Sequence, residues 1–255
     1  MRLGRIVVIG RGGSGKTTFT ALLARYLLEK GERPILLVDA DPDENLAEMV
    51  GFEVEEGRTI SDLLAETLAE EDDGGTRPQR FPIERVEYRI WEEALYEEDG
   101  LDLISIGAKW TEGCYCVANE ALRMVLGNML RSYAHVLIDS PAGLEQLNRR
   151  IAPAFDDIFD IIDPSQKALS HVGKARRLLA ELKIAFRNFY VVGGYRLPEG
   201  WGADVEALTG LKCLGKVAYD PAVEEHVRRG GSLMGLPPDS PAYASLRRVA
   251  ELAGY

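Results

Sequence analysis

Residues 10–18 read Gly-Arg-Gly-Gly-Ser-Gly-Lys-Thr-Thr and follow directly on the apolar run Ile6-Val7-Val8-Ile9. The spacing from Gly10 to Thr17 is that of a phosphate-binding loop, G-x-x-x-x-G-K-[ST]. Gly12, Gly13 and Gly15 let the backbone wrap inward, so that successive N–H groups, Ser14 among them, face an anion. A helix starting near Gly15 adds its positive N-terminal end. Lys16 would then meet the β- and γ-phosphates of a nucleoside triphosphate such as ATP, and Thr17 would offer its hydroxyl to Mg²⁺, with Thr18 beside it. The same stretch contains Gly10-x-Gly12-x-x-Gly15, a dinucleotide fingerprint for which Asp39 would be the ribose-binding acid. Lys-Thr directly after the last glycine serves a triphosphate and adds nothing to a hydride carrier, which favours the first reading.

Two acidic strand ends supply the rest of such a site. Ile35–Val38 runs into Asp39-Ala40-Asp41-Pro42-Asp43-Glu44-Asn45, and Val136-Leu137-Ile138 runs into Asp139-Ser140-Pro141-Ala142-Gly143. One carboxylate can hold Mg²⁺ or its waters and another can orient an attacking water. Gly143 can turn the backbone towards a γ-phosphate. The bland alternative is that Asp43 and Asp139 cap the helices that follow them.

These residues need a scaffold that brings several strand ends to one edge. Apolar runs at Leu3–Ile9, Ile35–Asp39, Leu101–Ile106, Ala134–Asp139, Asp156–Ile162, Asn188–Val192 and Lys212–Val217 read as strands buried on both faces. Helical spacing marks Lys16–Lys30, Ile60–Ala69, Cys116–Ser132, Gln166–Lys183, Val223–Arg229 and Tyr243–Ala253. The alternation predicts an α/β fold: a mostly parallel sheet of seven or eight strands, of P-loop NTPase type, with helices on both faces. The 255 residues suit a single domain, interrupted by an acidic excursion at 53–100. Between Glu66 and Asp99 lie twelve acids and four bases, a solvated excursion or a docking surface for a partner protein.

The formal charge of −11 weighs against a nucleic-acid partner, which calls for a basic face. No basic leader with an apolar core opens the sequence and no apolar run reaches about 18 residues, so a cytoplasmic protein without a membrane partner is expected. Three cysteines are too few for a disulfide scaffold. Cys213 sits in a strand pattern and reads as a core residue. Cys114 and Cys116, in Glu112-Gly113-Cys114-Tyr115-Cys116, offer two thiolates, half of a tetrahedral soft-metal site that a second copy would complete across a two-fold axis. Ordinary loop cysteines or a redox-active thiol pair are the alternatives.

The loop at 10–18, Asp39-Ala40-Asp41-Pro42 and Asp139-Ser140-Pro141-Ala142-Gly143 together resemble the deviant Walker A ATPases, which include the MinD/ParA partitioning proteins, the nitrogenase iron protein and related metallochaperones. The resemblance implies ATP and ADP as ligands, Asp41 as the water-activating acid, and a homodimer closed by ATP. It also implies that a lysine after the first glycine reaches the partner's nucleotide; this sequence has Arg11 there, which keeps the charge. The family's adenine-reading Asn has no counterpart in Val191-Val192-Gly193-Gly194-Tyr195, and the loop Tyr219-Asp220-Pro221 is left to make backbone contacts. Gly-Cys-Tyr-Cys, with Asn119 and Leu122-Arg123 after it, is similar to the accessory ATPases of carbon monoxide dehydrogenase, the CooC family. That likeness implies nickel or zinc on Cys114 and Cys116 between subunits, and carbon monoxide dehydrogenase or acetyl-CoA synthase as client. A spatial organiser of the partitioning type and an iron–sulfur electron-transfer ATPase are the competing readings.

Overall fold

The computed structural model describes residues 4–55, 57–70, 83–107, 123, 127–129, 131–144 and 154–255. Its strands are β1 (Gly4–Gly10), β2 (Ile35–Asp39), β3 (Tyr96–Glu98), β4 (Leu101–Ser105), β5 (His135–Asp139), β6 (Ala154–Ile162), β7 (Ala185–Gly193) and β8 (Cys213–Lys216). They form one eight-stranded sheet in the order β3-β4-β2-β5-β1-β6-β7-β8. Every pairing is parallel except that of β3 with β4. The chain order reverses around β1, so a crevice opens at the carboxyl ends of the central strands, where open α/β sheets take their ligands.

The helices are α1 (Lys16–Glu29), α2 (Asn45–Val50), α3 (Ile60–Glu70), α4 (Ile83–Arg89, continued by a π turn, Ile90–Ala94), α5 (Gln166–Glu181), α6 (Gly202–Thr209), α7 (Pro221–Arg229) and α8 (Pro241–Ala253). The apolar strand runs feed two cores, one on each face, because successive side chains point to opposite sides. Ile6, Val8, Ile35, Leu37 and Leu137 pack with Phe19, Leu22 and Leu23 of α1 and with Tyr243 and Leu246 of α8. Val7, Ile9, Leu36, Val38 and Ile138 pack with Leu63 of α3, Val86 of α4, Val172 of α5 and Val205 of α6.

The sheet has the expected parallel character and helices on both faces. The short elements escaped the pattern. β3 has three residues, two of them glutamates, so it shows no usable alternation, and α2 and α6 span too few turns to display a stripe. Helices α7 and α8 begin two residues before the expected starts, at Pro221 and Pro241. In each case the proline occupies the first turn and the preceding residue, Asp220 or Ser240, caps it. Of the helix expected over Cys116–Ser132, residues 123 and 127–129 are helical; most of the rest lies outside the described residues.

The acidic excursion is partly built into the core. Val86, Ile90 and Ala94 are fully buried against the sheet. Arg89 gathers the surrounding acids, with Glu66 and Glu93 each at 2.8 Å and Glu70 at 3.8 Å. Arg85 also pairs with Glu70, so part of the local charge excess is met by guanidinium groups. Cys213 is half-buried on β8 and packs against the same core.

Candidate functional site

β1 delivers the phosphate loop to the middle of the crevice. Gly10 has a φ of 150°, and a Cβ there would stand 2.5 Å from the carbonyl oxygen of Ile161, so only glycine fits. Gly13 and Gly15 adopt the left-handed region, and Gly15 is the N-cap of α1. The loop closes with the Ser14 N–H donating to the Arg11 carbonyl at 3.2 Å. Lys16 is buried, and its Nζ donates to the same carbonyl at 3.4 Å, holding the ammonium over the loop.

Asp39 and Asp139 are register partners on adjacent strands and both are fully buried. Burial, and then the charge of Asp139, pushes the Asp39 carboxyl up to about 8. Burial likewise raises Asp139 to about 6, against the lowering effects of the nearby Thr17 hydroxyl and Lys16. The two oxygens of Asp39 accept the N–H groups of Asp41 at 3.0 Å and Leu46 at 2.9 Å. Asp39 therefore shapes the loop that carries Asp41 and supplies the capping contact at the start of α2. Asp43 does not make that cap; the N-cap of α2 is Glu44, without a side-chain bond. Asp139 Oδ1 accepts from the Thr20 hydroxyl at 3.4 Å, while its buried Oδ2 has no partner among the described residues. An orphaned carboxylate oxygen next to the Thr17 hydroxyl is the hard-oxygen donor set that Mg²⁺ takes.

Gly143, with φ of 99°, folds back on the loop, its N–H donating to the Gly10 carbonyl at 3.1 Å. A cleft of about 1050 Å³ runs outward from these residues. It is lined by Gly12 to Thr18, by Asp41, Asp43 and Asn45, and by Tyr195, Tyr219, Asp220 and the α7 residues Val223 and Val227. Asp41 lines the cleft, and its carboxylate accepts the Asp43 N–H at 3.2 Å.

Arg11 takes a direction that its type and position did not announce. Its Nη1 donates to Ser165 Oγ at 3.1 Å and lies 3.5 Å from Asp163 Oδ2, so its own chain holds it at the start of α5. Asp220 is spent on structure. It accepts from the N–H of Ala222 at 2.8 Å, from the Ser240 hydroxyl, and from the N–H of Ala242 at 3.3 Å. Burial alone would raise its carboxyl, and these hydrogen bonds overcome that and hold it below the usual range. Pro221 is the exposed first residue of α7. Cys114 and Cys116 lie outside the described residues. The chain approaches them from Ser105 at the carboxyl end of β4, on the same edge of the sheet as Asp39, its register partner.

Gly194 and Tyr195 were not among the residues read as site-forming. Gly194 lies so close to the loop that a Cβ would stand 2.3 Å from the Ser14 carbonyl oxygen. The available signal was a Gly-Gly-Tyr run closing an apolar strand, which marks a close backbone approach.

This geometry coincides with a family model. The CobQ/CobB/MinD/ParA nucleotide-binding domain matches residues 6–233. The chain belongs to that family. It is a P-loop ATPase. An uncharacterised ATP-binding protein of Methanocaldococcus jannaschii is 35% identical over 257 residues, covering 96% of each chain. The carbon monoxide dehydrogenase accessory protein CooC of Rhodospirillum rubrum is 28% identical over 98% of this chain and 97% of that protein. Among solved structures, the septum site-determining protein MinD of Pyrococcus horikoshii, complexed with Mg-ADP, shares the fold. Its TM-score is 0.69 at 22% identity, covering 98% of this chain and 96% of that one. Among the described residues no helix is long and apolar enough to cross a membrane.

Proposed function

We propose that this ATPase is a metallochaperone that carries Ni²⁺, or Zn²⁺ in its place, towards carbon monoxide dehydrogenase or acetyl-CoA synthase. The observation that carries the reading is the Cys114/Cys116 pair in a sequence similar over nearly its whole length to a carbon monoxide dehydrogenase accessory protein. The 255 residues act as one P-loop ATPase domain. ATP closes a homodimer and brings two thiolate pairs onto one metal ion, and hydrolysis loosens the clamp. Such coupling requires the metal to bind the two states with different affinity.

In this reading the loop N–H groups from Gly12 to Thr18 cradle the phosphates and Lys16 neutralises charge on the β- and γ-phosphates. Thr17 and Asp139 would hold Mg²⁺, which would supply charge neutralisation to the phosphates. Asp39 fixes the Asp41 loop, and Asp41 takes the proton of the water whose oxygen attacks the γ-phosphorus as the bond to ADP breaks. Arg11 leaves Ser165 and Asp163 to meet the partner's nucleotide. The Asp220 carboxylate fixes the loop Tyr219-Asp220-Pro221, whose backbone is left to contact the nucleotide.

Titration of Ni²⁺ into the wild type and into the Cys114→Ala/Cys116→Ala double variant tests the proposal. One ion per two chains is expected for the wild type and none at that site in the variant; equal stoichiometry sinks it. The partitioning-type reading draws on the likeness to MinD, but it needs a free amphipathic surface or a basic one. The apolar side of α8, from Ala242 and Tyr243 to Ala253, is buried in the core. Co-sedimentation with liposomes or DNA in the presence of ATP separates the two readings.

A further inference from the structure

The far end of the cleft carries two large aromatic side chains that the core does not use. Tyr195 is 39% exposed and Tyr219 is 52% exposed. Their ring centroids are 5.9 Å apart at an interplanar angle of 42°, so they form one tilted aromatic wall. The wall is tied to the phosphate loop: Gly194 abuts the Ser14 carbonyl and places Tyr195 next along the cleft. The loop residues Gly12–Thr18 and both tyrosines line one cleft, so a nucleotide with its phosphates on the loop would bring its base towards this wall.

The tyrosine hydroxyls and several backbone groups around the wall are already engaged. The Tyr195 hydroxyl accepts from Arg196 Nε at 2.9 Å, and the Tyr219 hydroxyl donates to Glu224 Oε2 at 2.6 Å. The Ala218 N–H goes to Ser245 Oγ at 2.8 Å and the Val217 N–H to the Gly193 carbonyl at 2.8 Å. The Gly194 N–H goes to the Ile162 carbonyl at 2.8 Å, and the Asp220 carboxylate caps two helices. Among the described residues, no Asn or Gln side chain lines this end of the cleft. The largest face left open at this end is aromatic. Strong discrimination between bases comes from buried polar groups that the wrong base leaves unpaired, whereas stacking accepts any base with a sufficient face.

We infer that the base of the bound nucleotide stacks on the Tyr195–Tyr219 wall and is selected by the area of its face rather than by its hydrogen-bonding edge. Adenine and guanine nucleotides are then accepted alike, and pyrimidine nucleotides less well. The inference rests on the reading of the cleft as the nucleotide site.

Calorimetric titration with Mg-ADP, Mg-GDP, Mg-CDP and Mg-tripolyphosphate tests it. ADP and GDP are expected within about tenfold of each other, with CDP weaker than both. Tyr219→Leu and Tyr195→Leu should each weaken ADP and GDP by roughly tenfold, Tyr219→Phe should not, and tripolyphosphate should bind all variants equally. A wild type that prefers ADP over GDP by about a hundredfold or more overturns the inference. So do leucine variants with unchanged ADP affinity. If a leucine variant also loses tripolyphosphate, its wall has disturbed the loop, and the wild-type ADP-to-GDP ratio decides. Failure of the underlying reading looks different: Lys16→Ala would then bind ADP and tripolyphosphate as the wild type does.

Discussion

The two ends of the cleft are built on opposite principles. At the phosphate end the working groups are buried: Lys16, Asp39 and Asp139 are each less than a tenth exposed, inside a backbone that only glycine can follow at Gly10. At the base end Tyr195 and Tyr219 stand open to solvent on loops, and α7 beside them buries no residue at all. A buried, preorganised end suits the handling of developing charge, where low dielectric strengthens each interaction. An exposed aromatic end suits binding that is contributed by area and tolerates variety. On the proposed reading, the difference teaches that the chemistry and the selection of the ligand fall to separate parts of one pocket.

The comparison can be broken in several places. The largest effect is expected for Lys16→Ala, which removes the buried charge aimed at the phosphates and should lower ATP turnover by about a hundredfold or more, as loss of one preorganised donor does. Steady-state phosphate release checks it. Asp41→Ala should slow hydrolysis by about a hundredfold, the usual contribution of a positioned base, while leaving ADP affinity within a few-fold of wild type. Normal turnover in that variant would show that the attacking water is activated elsewhere. Gly194→Ala acts at the joint between the two ends. Its Cβ would press on the Ser14 carbonyl, and the overpacking should cost about 1–3 kcal/mol in denaturant unfolding and weaken ADP and tripolyphosphate together.

The smallest effect concerns pH and belongs to the phosphate end alone. Asp39 and Asp139 both have carboxyls raised above the ordinary value near 4, so the folded chain binds more protons than the unfolded one. Stability of the nucleotide-free, chelator-treated chain should therefore be greatest at low pH on this account. It should fall as pH rises from about 4 towards 8, with the buried pair titrating as a unit. Asp39→Asn should flatten that decline in thermal melts between pH 5 and about 8. An unchanged slope would mean that the pair does not hold its protons.

Legibility followed the same division. The phosphate loop, its glycines, Lys16 and the two acidic strand ends could be read directly, because residue type, spacing and strand-loop-helix order are local properties. The continuous apolar runs named seven of the eight strands. The roles of individual acids could not be read. Asp39 looks like a metal ligand in sequence, yet its oxygens hold the N–H groups of Asp41 and Leu46. Asp220 looks like part of a nucleotide loop, yet it joins α7 to α8 through Ala222, Ser240 and Ala242. Arg11 turns to Ser165 and Asp163, more than 150 positions along the chain. Each outcome depends on partners that sequence spacing does not bring together. The acidic excursion shows the same limit from the other side: its charge count left a solvated excursion or a docking surface open, while Val86, Ile90 and Ala94 carry part of it into the core and Arg89 pairs with Glu66 and Glu93.

By itself, then, the sequence determined that this chain is an α/β protein built to grip a triphosphate, since the loop's conformational demands and the strands' apolar runs are written residue by residue. It also supplied the Cys114/Cys116 pair on which the proposed metal cargo depends. Only the tertiary structure decided which carboxylate shapes a loop and which keeps a free oxygen, where Arg11 points, and that Tyr195 and Tyr219 meet as one wall. The physical reason is that burial, register and long-range packing set the dielectric and the partners of a side chain, and these arise only once distant strand ends share one edge of the sheet.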